Sequence, residues 1–267
     1  MKHGSPKTPY AKKSFGQNFL TDRNYVERIV DALDVDENDT VFEIGPGRGA
    51  LTERLVGRAA AVIAIELDRD MIAILRGRFG KTLTFHLVDE DALQIDFFDL
   101  AASLPETYLP AKLVANLPYY ISTAILQRLI EQRKAFSEIV LMFQREVAER
   151  ITARPGSAER GFLTAMVEAT FEVERLFDVP PTAFRPVPKV WSSVVRLTPT
   201  ADVRCDAELL RRIASAAFSQ KRKTIFNNLK AVIPDAARLL ESAGIDPKRR
   251  AETLTGEEWT RLTLAHG

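Results

Sequence analysis

The chain has 267 residues, of which 46% are apolar and 27% charged, a composition typical of a globular protein with a substantial core. It has no run of about 18 apolar residues that could span a membrane. Its one cysteine, Cys205, excludes an internal disulfide, and its three histidines are too scattered to suggest a metal site. We therefore expect no metal and no membrane contact, and a reducing, cytoplasmic setting.

The net charge of +1 conceals two basic ends. Residues 1–20 contain four lysines and no acidic residue, and residues 205–267 contain 11 basic and 8 acidic side chains. Charge at both ends would suit a nucleic-acid partner, because phosphate binding needs positive charge where contact is made. Solvated ends explain the pattern equally well. Residues 1–13 have too little apolar content to fold, so we expect a disordered basic tail there.

From residue 14 to residue 200, segments with helical spacing of apolar residues alternate with strand-like segments. This alternation is typical of a doubly wound α/β fold with a mostly parallel sheet. The predicted helices cover 23–33, 50–56, 71–79, 121–130, 146–151 and 161–169. The predicted strands cover 40–44, 61–65, 83–88, 111–119, 138–143, 171–177 and 190–197, and the last two are expected to pair as an antiparallel hairpin.

A glycine-rich turn with G-x-G-x-G spacing, which includes Gly45 and Gly47, joins the first long strand to the next helix. Glycine lets the backbone approach a ligand closely at a helix N-terminus. Glu66 ends the next strand about twenty residues later, where a carboxylate can accept hydrogen bonds from both ribose hydroxyls of a nucleoside cofactor. The pair predicts a Rossmann-like nucleoside site, with helix capping as the alternative role for Glu66.

Two further strand ends carry groups suited to an adenine. Asp89-Glu90-Asp91 follows the third long strand, and one of these acids could hold an adenine amino group. Asn116-Leu117-Pro118-Tyr119 closes the fourth strand, where proline stiffens the backbone and removes an N–H. Asn116 offers an acceptor and Tyr119 a flat face, which together fit a planar ligand that carries an amine. A plain strand end with a Pro-Tyr turn is the structural alternative.

From residue 205 onward the spacing is helical only. We expect a small all-α domain at 205–267, after a Rossmann-like domain at 14–200. Lys221, Arg222 and Lys223 lie between two of its helices and could contact phosphates, or could form a solvated helix start. The predicted helices cover 206–218, 222–230, 235–243 and 256–264.

A nucleoside-binding fold could serve NAD or S-adenosylmethionine. A dehydrogenase would need a proton donor beside the hydride site, and no candidate histidine or lysine for that role lies near the predicted strand ends. The glycine turn, the acid after the third long strand and the Asn-Leu-Pro-Tyr sequence instead match a methyltransferase that acts on an amine, since such folds bind ligands at strand ends.

With these motifs the sequence resembles the small-subunit ribosomal RNA adenine dimethyltransferases, which are relatives of the erythromycin-resistance rRNA methylases. The resemblance covers nearly the whole chain, and one departure is the more acidic Val88-Asp89-Glu90, which leaves the choice among the three acids open although Asp91 is favoured. The matching stretches are 15–20, 43–52, 66–68, 91–93, 116–119, 143–148, 154–157, 179–181, 188–190 and 222–224, together with Phe184.

The resemblance implies roles for named residues around S-adenosylmethionine. Tyr119 and Phe184 would stack on the two faces of an adenosine turned out of the RNA, with a core position as the alternative for Phe184. Asn116 and the Leu117 carbonyl would accept hydrogen bonds from the adenine N6 amine. The cofactor would be held by Asn18, Leu20, Gly45, Gly47, Glu66, Asp91 and Asn116.

The implied activity is N6,N6-dimethylation of two adjacent adenosines near the 3′ end of small-subunit rRNA, within an immature 30S ribosomal subunit, with no obligate protein partner. Two alternatives stay open. The chain could be mainly an RNA-binding assembly factor, or it could be a resistance-type methylase that acts on large-subunit rRNA.

Overall fold

The computed structural model describes residues 17–118, 121–200 and 206–266. Its strands in chain order are β1 Phe19–Leu20, β2 Thr40–Ile44, β3 Ala61–Glu66, β4 Phe85–Asp89, β5 Ala111–Asn116, β6 Phe136–Gln144, β7 Phe171–Val179, β8 Phe184–Arg185 and β9 Ser192–Pro199. Its helices are α1 Arg23–Ala32, α2 Thr52–Leu55, α3 Arg69–Phe79, α4 Phe97–Ser103, α5 Ser122–Glu131, α6 Arg145–Ile151, α7 Phe162–Glu168, α8 Ala207–Ala217, α9 Ile225–Leu229, α10 Ala236–Ser242 and α11 Gly256–His266.

A seven-stranded sheet in the order β4-β3-β2-β5-β6-β9-β7 forms the centre of the molecule. The strands from β4 to β6 are parallel, and β9 runs antiparallel to both β6 and β7. The chain builds β3 and β4 on one side of β2 and then β5 and β6 on the other. This reversal leaves a crevice at the carboxyl ends of β2 and β5, where such sheets bind ligands. The predicted doubly wound α/β class and the antiparallel hairpin are confirmed.

Successive strand residues contribute alternately to two hydrophobic clusters, one on each face of the sheet. Phe42 and Ile63 point into a cluster with α4, α5 and α7, whereas Val41 and Val62 point into a cluster with α1, α2 and α3. Because successive strand residues face opposite sides, an unbroken apolar run predicts burial on both faces. Every residue of β2 and β3 is indeed buried.

The helices after residue 205 join the first of these clusters. Trp259 of α11 is fully buried and stacks on Phe218 with ring centroids 5.6 Å apart. Arg160 donates to both oxygens of Glu168 and to the Leu254 carbonyl, which ties α7 to the segment before α11. An all-α C-terminal part is therefore confirmed. The domain boundary stays a prediction, and residues 201–205, with Cys205, lie outside the described residues.

Several element ends differ from the prediction for local reasons. Leu83 is 94% exposed and β4 begins only at Phe85. Helix α9 begins at Ile225, because the Thr224 hydroxyl accepts from the Asn227 N–H and caps it. The short pair β1–β8 carries no periodicity and was not predicted. No helix in the described part of the chain is both long and apolar enough to cross a membrane.

Candidate active site

A cleft of about 770 Å³ lies at the carboxyl ends of β2, β3 and β5. Its size is within the range of small-molecule sites, and its position is the crevice that the strand order creates. The residues predicted to bind cofactor converge there although they are scattered over about a hundred positions of the sequence. Those that line the cleft are Asn18, Leu20, Gly45, Gly47, Glu66, Asp91 and Asn116, and Leu117, which was predicted to contact the target amine, lines it as well.

The glycine turn forms one wall of the cleft. Gly45 and Gly47 both have positive φ, at 65° and 57°, which glycine adopts without strain. The Gly45 N–H donates to the Ile65 carbonyl at 2.9 Å, so the turn is fixed to the end of β3. A Cβ at Gly47 would lie 3.1 Å from the ring of Phe19, which packs over the turn. Any side chain at Gly47 would therefore strain the backbone and press on Phe19.

Glu66 lies where β3 meets the glycine turn. One of its carboxylate oxygens accepts from the Gly47 N–H at 3.1 Å, and the other accepts from the Leu67 and Asp68 N–H groups. Burial raises the pKa of Glu66 above its ordinary value, although these three donors oppose the shift. The capping residue of α3 is Asp68, whose side chain accepts from the Asp70 N–H. Helix capping is therefore not the role of Glu66.

The three acids after β4 differ in position. Asp89 is still in the strand, opposite Glu66, and does not line the cleft. Glu90 and Asp91 both line it, and the Asp91 carboxylate accepts from the Leu93 N–H at 3.0 Å, which fixes the turn. The geometry leaves Glu90 and Asp91 as candidates and favours Asp91, whose side chain is held.

Asn116 ends β5 at the opposite wall. Its side-chain N–H donates to the Asn18 carbonyl at 3.4 Å, so the amide oxygen faces away from that contact. Leu117 is buried and Pro118 interrupts the ladder as expected, since proline has no N–H. Tyr119, the predicted stacking residue, lies outside the described residues.

Phe184 is in the core and does not line the cleft. Only 1% of it is exposed, and its strand β8 pairs with β1, where it lies opposite Leu20. The Thr21 N–H donates to the Ala183 carbonyl at 2.9 Å and extends this contact. The ring of Phe184 therefore lies in the core, the position that the sequence analysis gave as the alternative to stacking. Its stacking role stays a prediction.

Glu43 is a cleft residue to which the sequence analysis gave no role. It lies in β2, is 1% exposed, and accepts from the Thr52 hydroxyl at 2.6 Å. Burial raises the pKa of Glu43 to about 7. The available signal was a single acid in the otherwise apolar run directly before the glycine turn. The cleft thus holds a carboxyl group that can change charge near neutral pH.

The predicted RNA contacts Lys221, Arg222 and Lys223 are exposed between α8 and α9 and do not line the cleft. The Lys221 ammonium group donates to the Ala158 carbonyl at 2.9 Å, which brings this loop beside the turn at 154–158. The three basic residues form a basic surface separate from the cleft. Within residues 17–118, 121–200 and 206–266, no three side chains of metal-binding types lie together.

The sequence matches a family model described as ribosomal RNA adenine dimethylase over residues 9–265. Relatives named ribosomal RNA small subunit methyltransferase A include those of Magnetococcus marinus, 45% identical over 94% of this chain and 90% of theirs, and Pseudomonas aeruginosa, 43% identical over 94% and 93%. Similar solved structures include a dimethyladenosine transferase from Plasmodium falciparum, with TM-score 0.78, 27% identity and coverage of 92% and 96%. The 23S rRNA methyltransferase ErmE gives TM-score 0.70, 28% identity and coverage of 93% and 99%.

Proposed function

The chain belongs to the ribosomal RNA adenine dimethylase family, and we propose that it dimethylates N6 of two adjacent adenosines near the 3′ end of small-subunit (16S) rRNA. It is a methyltransferase, and its family implies S-adenosylmethionine as the methyl donor and rRNA as the substrate. The relatives named for the small subunit are 41–45% identical, against 28% for the large-subunit enzyme ErmE. This difference supports small-subunit rRNA as the target.

The single observation that carries the proposal is the convergence of the glycine turn, Glu66, Asp91 and Asn116 on one cleft at the carboxyl edge of the sheet. The cleft fits S-adenosylmethionine in size, and its glycine wall leaves room for backbone contact. The cofactor supplies a methyl group on a positively charged sulfur that is a good leaving group.

Glu66 is suited to hold the ribose hydroxyls. A carboxylate has about four acceptor sites, and three are used by the Gly47, Leu67 and Asp68 N–H groups. These contacts fix the carboxylate and leave about one acceptor site, on the oxygen that accepts only from the Gly47 N–H, so that one ribose hydroxyl can bind directly and the second must share or displace one of these donors. We assign the adenine amino group of the cofactor to Asp91, the methionine side to Gly45 and Gly47, and closure over the cofactor to Asn18 and Leu20.

Asn116 and Leu117 are suited to activate the target amine. The lone pair of adenine N6 is delocalised into the ring, so the amine is a poor nucleophile. Hydrogen bonds from N6–H to the Asn116 side-chain oxygen and the Leu117 carbonyl would favour a pyramidal nitrogen and stabilise its developing positive charge. Alignment for in-line transfer accounts for most of the remaining acceleration. No strong base is required, because the methylated ammonium is acidic enough to lose its proton to water.

The target adenosine must leave the RNA stack to reach this cleft. Tyr119 follows the Asn116–Pro118 turn directly and would stack on the base. Phe184 would take the other face only if its ring left the core position. A second methylation requires that the site also accept an amine with one N6–H, which one acceptor can hold.

We infer that the substrate is an immature 30S subunit, which places the chain in the cytoplasm. The exposed Lys221, Arg222 and Lys223 support this, because a basic surface outside the cleft suits rRNA away from the target base. The same surface favours a second function, assembly of the small subunit. A Glu66→Ala chain that binds RNA without cofactor separates the two, since maturation that proceeds with it is independent of methylation.

The test of the proposed function is the transfer of labelled methyl from S-adenosylmethionine to immature small subunits, with large subunits in a parallel reaction. The proposal predicts label in small-subunit rRNA only. Label in the large subunit would identify a resistance-type methylase. Bound cofactor without label in either subunit would favour the assembly role and contradict the proposed reaction.

A further inference from the structure

Residues 185–191, here called the 185–191 loop, join β8 to β9 on the surface. Trp191 is 46% exposed, and Val187 and Val190 are also exposed apolar side chains. Arg185 and Lys189 are exposed cations in the same seven residues. Clustered exposed apolar side chains mark interaction surfaces more often than accidents of packing.

Strand register places Trp191 at the edge of the sheet that holds the cleft. Asn116 of β5 lies opposite Met142 of β6, and Gln144, two residues further along β6, lies opposite Ser192 of β9. Trp191 directly precedes Ser192, just beyond the same carboxyl edge. Since β9 is two strands from β5, the lateral offset from Asn116 is roughly 10 Å.

The loop is fixed at both ends to elements that border the cleft. Its first residue, Arg185, pairs with Phe19 in β1, directly after Asn18 of the cleft wall. Its last residue, Trp191, accepts a hydrogen bond from the Arg145 N–H at 2.9 Å, at the start of α6. The backbone that carries the exposed indole is therefore held at a defined position at this edge of the sheet.

The charges around the indole favour a polyanion. Arg185, Lys189 and Arg145 are exposed cations there, and of these Arg145 is paired with an acid, Glu149, at 2.9 Å. Cations interleaved with an exposed aromatic ring are the usual surface for single-stranded nucleic acid, because the ring stacks on a base and the cations contact phosphates.

We propose that Trp191 is a stacking platform for a base that flanks the target adenosine in single-stranded rRNA, with Arg185 and Lys189 at the neighbouring phosphates. This inference rests on the proposed function, since the target base brings RNA to this edge of the sheet. Trp191 is thereby a positioning residue: it holds the strand in register while the next base enters the cleft.

Tryptophan fluorescence reports on this contact directly. The chain has two tryptophans, and Trp259 is fully buried in the C-terminal helices, so the part of a fluorescence change on RNA binding that is lost in the Trp191→Ala chain comes from Trp191. Titration with a single-stranded RNA oligonucleotide that contains two adjacent adenosines should quench the fluorescence. The Trp191→Ala chain should show no quenching and about tenfold weaker binding, the effect of losing one stacked base. The Trp191→Phe chain should recover most of the affinity.

Tyr108→Ala is the matched control. Tyr108 is 62% exposed but lies near the opposite edge of the sheet, where its N–H donates to Thr40 at the start of β2. Its removal should leave RNA affinity unchanged. Lys189→Gln should lower the slope of log affinity against log salt by about one, whereas Trp191→Ala should leave the slope unchanged, because stacking releases no counterions.

Wild-type affinity in the Trp191→Ala chain would overturn the inference and leave the surface to a protein partner. An equal loss in the Tyr108→Ala chain would also overturn it. If small-subunit rRNA is methylated in either case, the proposed function stands while the inference fails. If no rRNA is methylated but Trp191 is quenched and its removal weakens binding, Trp191 still stacks on RNA, whereas the proposed reaction and the position of a target adenosine beside Trp191 both fail.

Discussion

The side-chain N–H of Asn116 donates to the backbone carbonyl of Asn18 at 3.4 Å, across 98 residues of sequence. This bond joins the end of β5 to the segment that covers the cleft. It also occupies the amide nitrogen, so that the amide oxygen faces elsewhere. The proposed role of Asn116 as an acceptor at the target amine requires its amide oxygen, which takes no part in this bond.

Replacement of Asn116 by alanine should reduce turnover by roughly a hundredfold, as removal of one transition-state hydrogen bond does elsewhere. Cofactor affinity should fall less, because Glu66 and Asp91 remain. Single-turnover methyl transfer and cofactor calorimetry measure the two effects separately. Asn38→Ala, in an exposed loop before β2, is the control. Near-normal turnover without the Asn116 amide would exclude the assigned role.

Asp91→Asn should weaken cofactor binding by about tenfold or more, since a hydrogen bond to a charged acceptor is worth about 1.5–3 kcal/mol. Asp89→Asn should change it little, because Asp89 does not line the cleft. Calorimetry with S-adenosylmethionine compares the two chains and Glu90→Gln. A larger loss for Asp89 or Glu90 would reassign the contact to that acid.

Sequence patterns predicted the sheet well because its strands carry their own signals. The apolar runs of β2 and β3 are buried on both faces, and the alternation at the start of β7 suits a strand that pairs antiparallel with β9 at the edge of the sheet. Pairing of β1 with β8 could not be predicted in this way. A strand of two residues is too short to show a periodic pattern, and the paired residues of β1 and β8 are separated by 166 and 164 positions in the sequence.

Prediction of the site was also limited by contacts between distant residues that leave no local pattern in the sequence. The glycine turn, Glu66 and Asn116 stand at strand ends, so their convergence follows from topology. The core position of Phe184 depends on the β1–β8 pairing and was only an alternative. The cleft position of Glu43 was missed: an acid inside an otherwise apolar strand is unusual, but the sequence alone does not show that a cavity lies beside it.

The Glu43→Gln chain should become more stable relative to wild type as the pH rises. Glu43 holds its proton up to about pH 7 when folded but only to about 4.5 when unfolded, so ionisation destabilises the fold between those values. The advantage of Glu43→Gln over wild type should grow by roughly 3 kcal/mol over this window and then remain constant. Denaturant unfolding at several pH values measures it. An advantage that does not vary with pH would show that Glu43 ionises normally.

Arg160→Ala should destabilise the fold by about 3 kcal/mol, the lower end of the cost of breaking a buried ion pair, because the Glu168 side chain is 23% exposed and keeps some contact with water. The Arg160 side chain is 1% exposed, and its loss leaves Glu168 and the Ala153 and Leu254 carbonyls without their donor. Thermal and denaturant unfolding provide the measurement. Arg211→Ala, which breaks the exposed pair with Glu208, should have little effect. Equal losses of stability in the two variants would contradict the role of Arg160 in joining α7 to the segment before α11.

The most direct test of the proposed reaction is nucleoside analysis of small-subunit rRNA after incubation of immature subunits with the chain and S-adenosylmethionine. The proposed reaction yields N6,N6-dimethyladenosine at two adjacent positions near the 3′ end, and none with the Asn116→Ala chain over the same time. A product that stops at N6-monomethyladenosine, or methylation of a nucleoside other than adenosine, would contradict the proposed dimethylation.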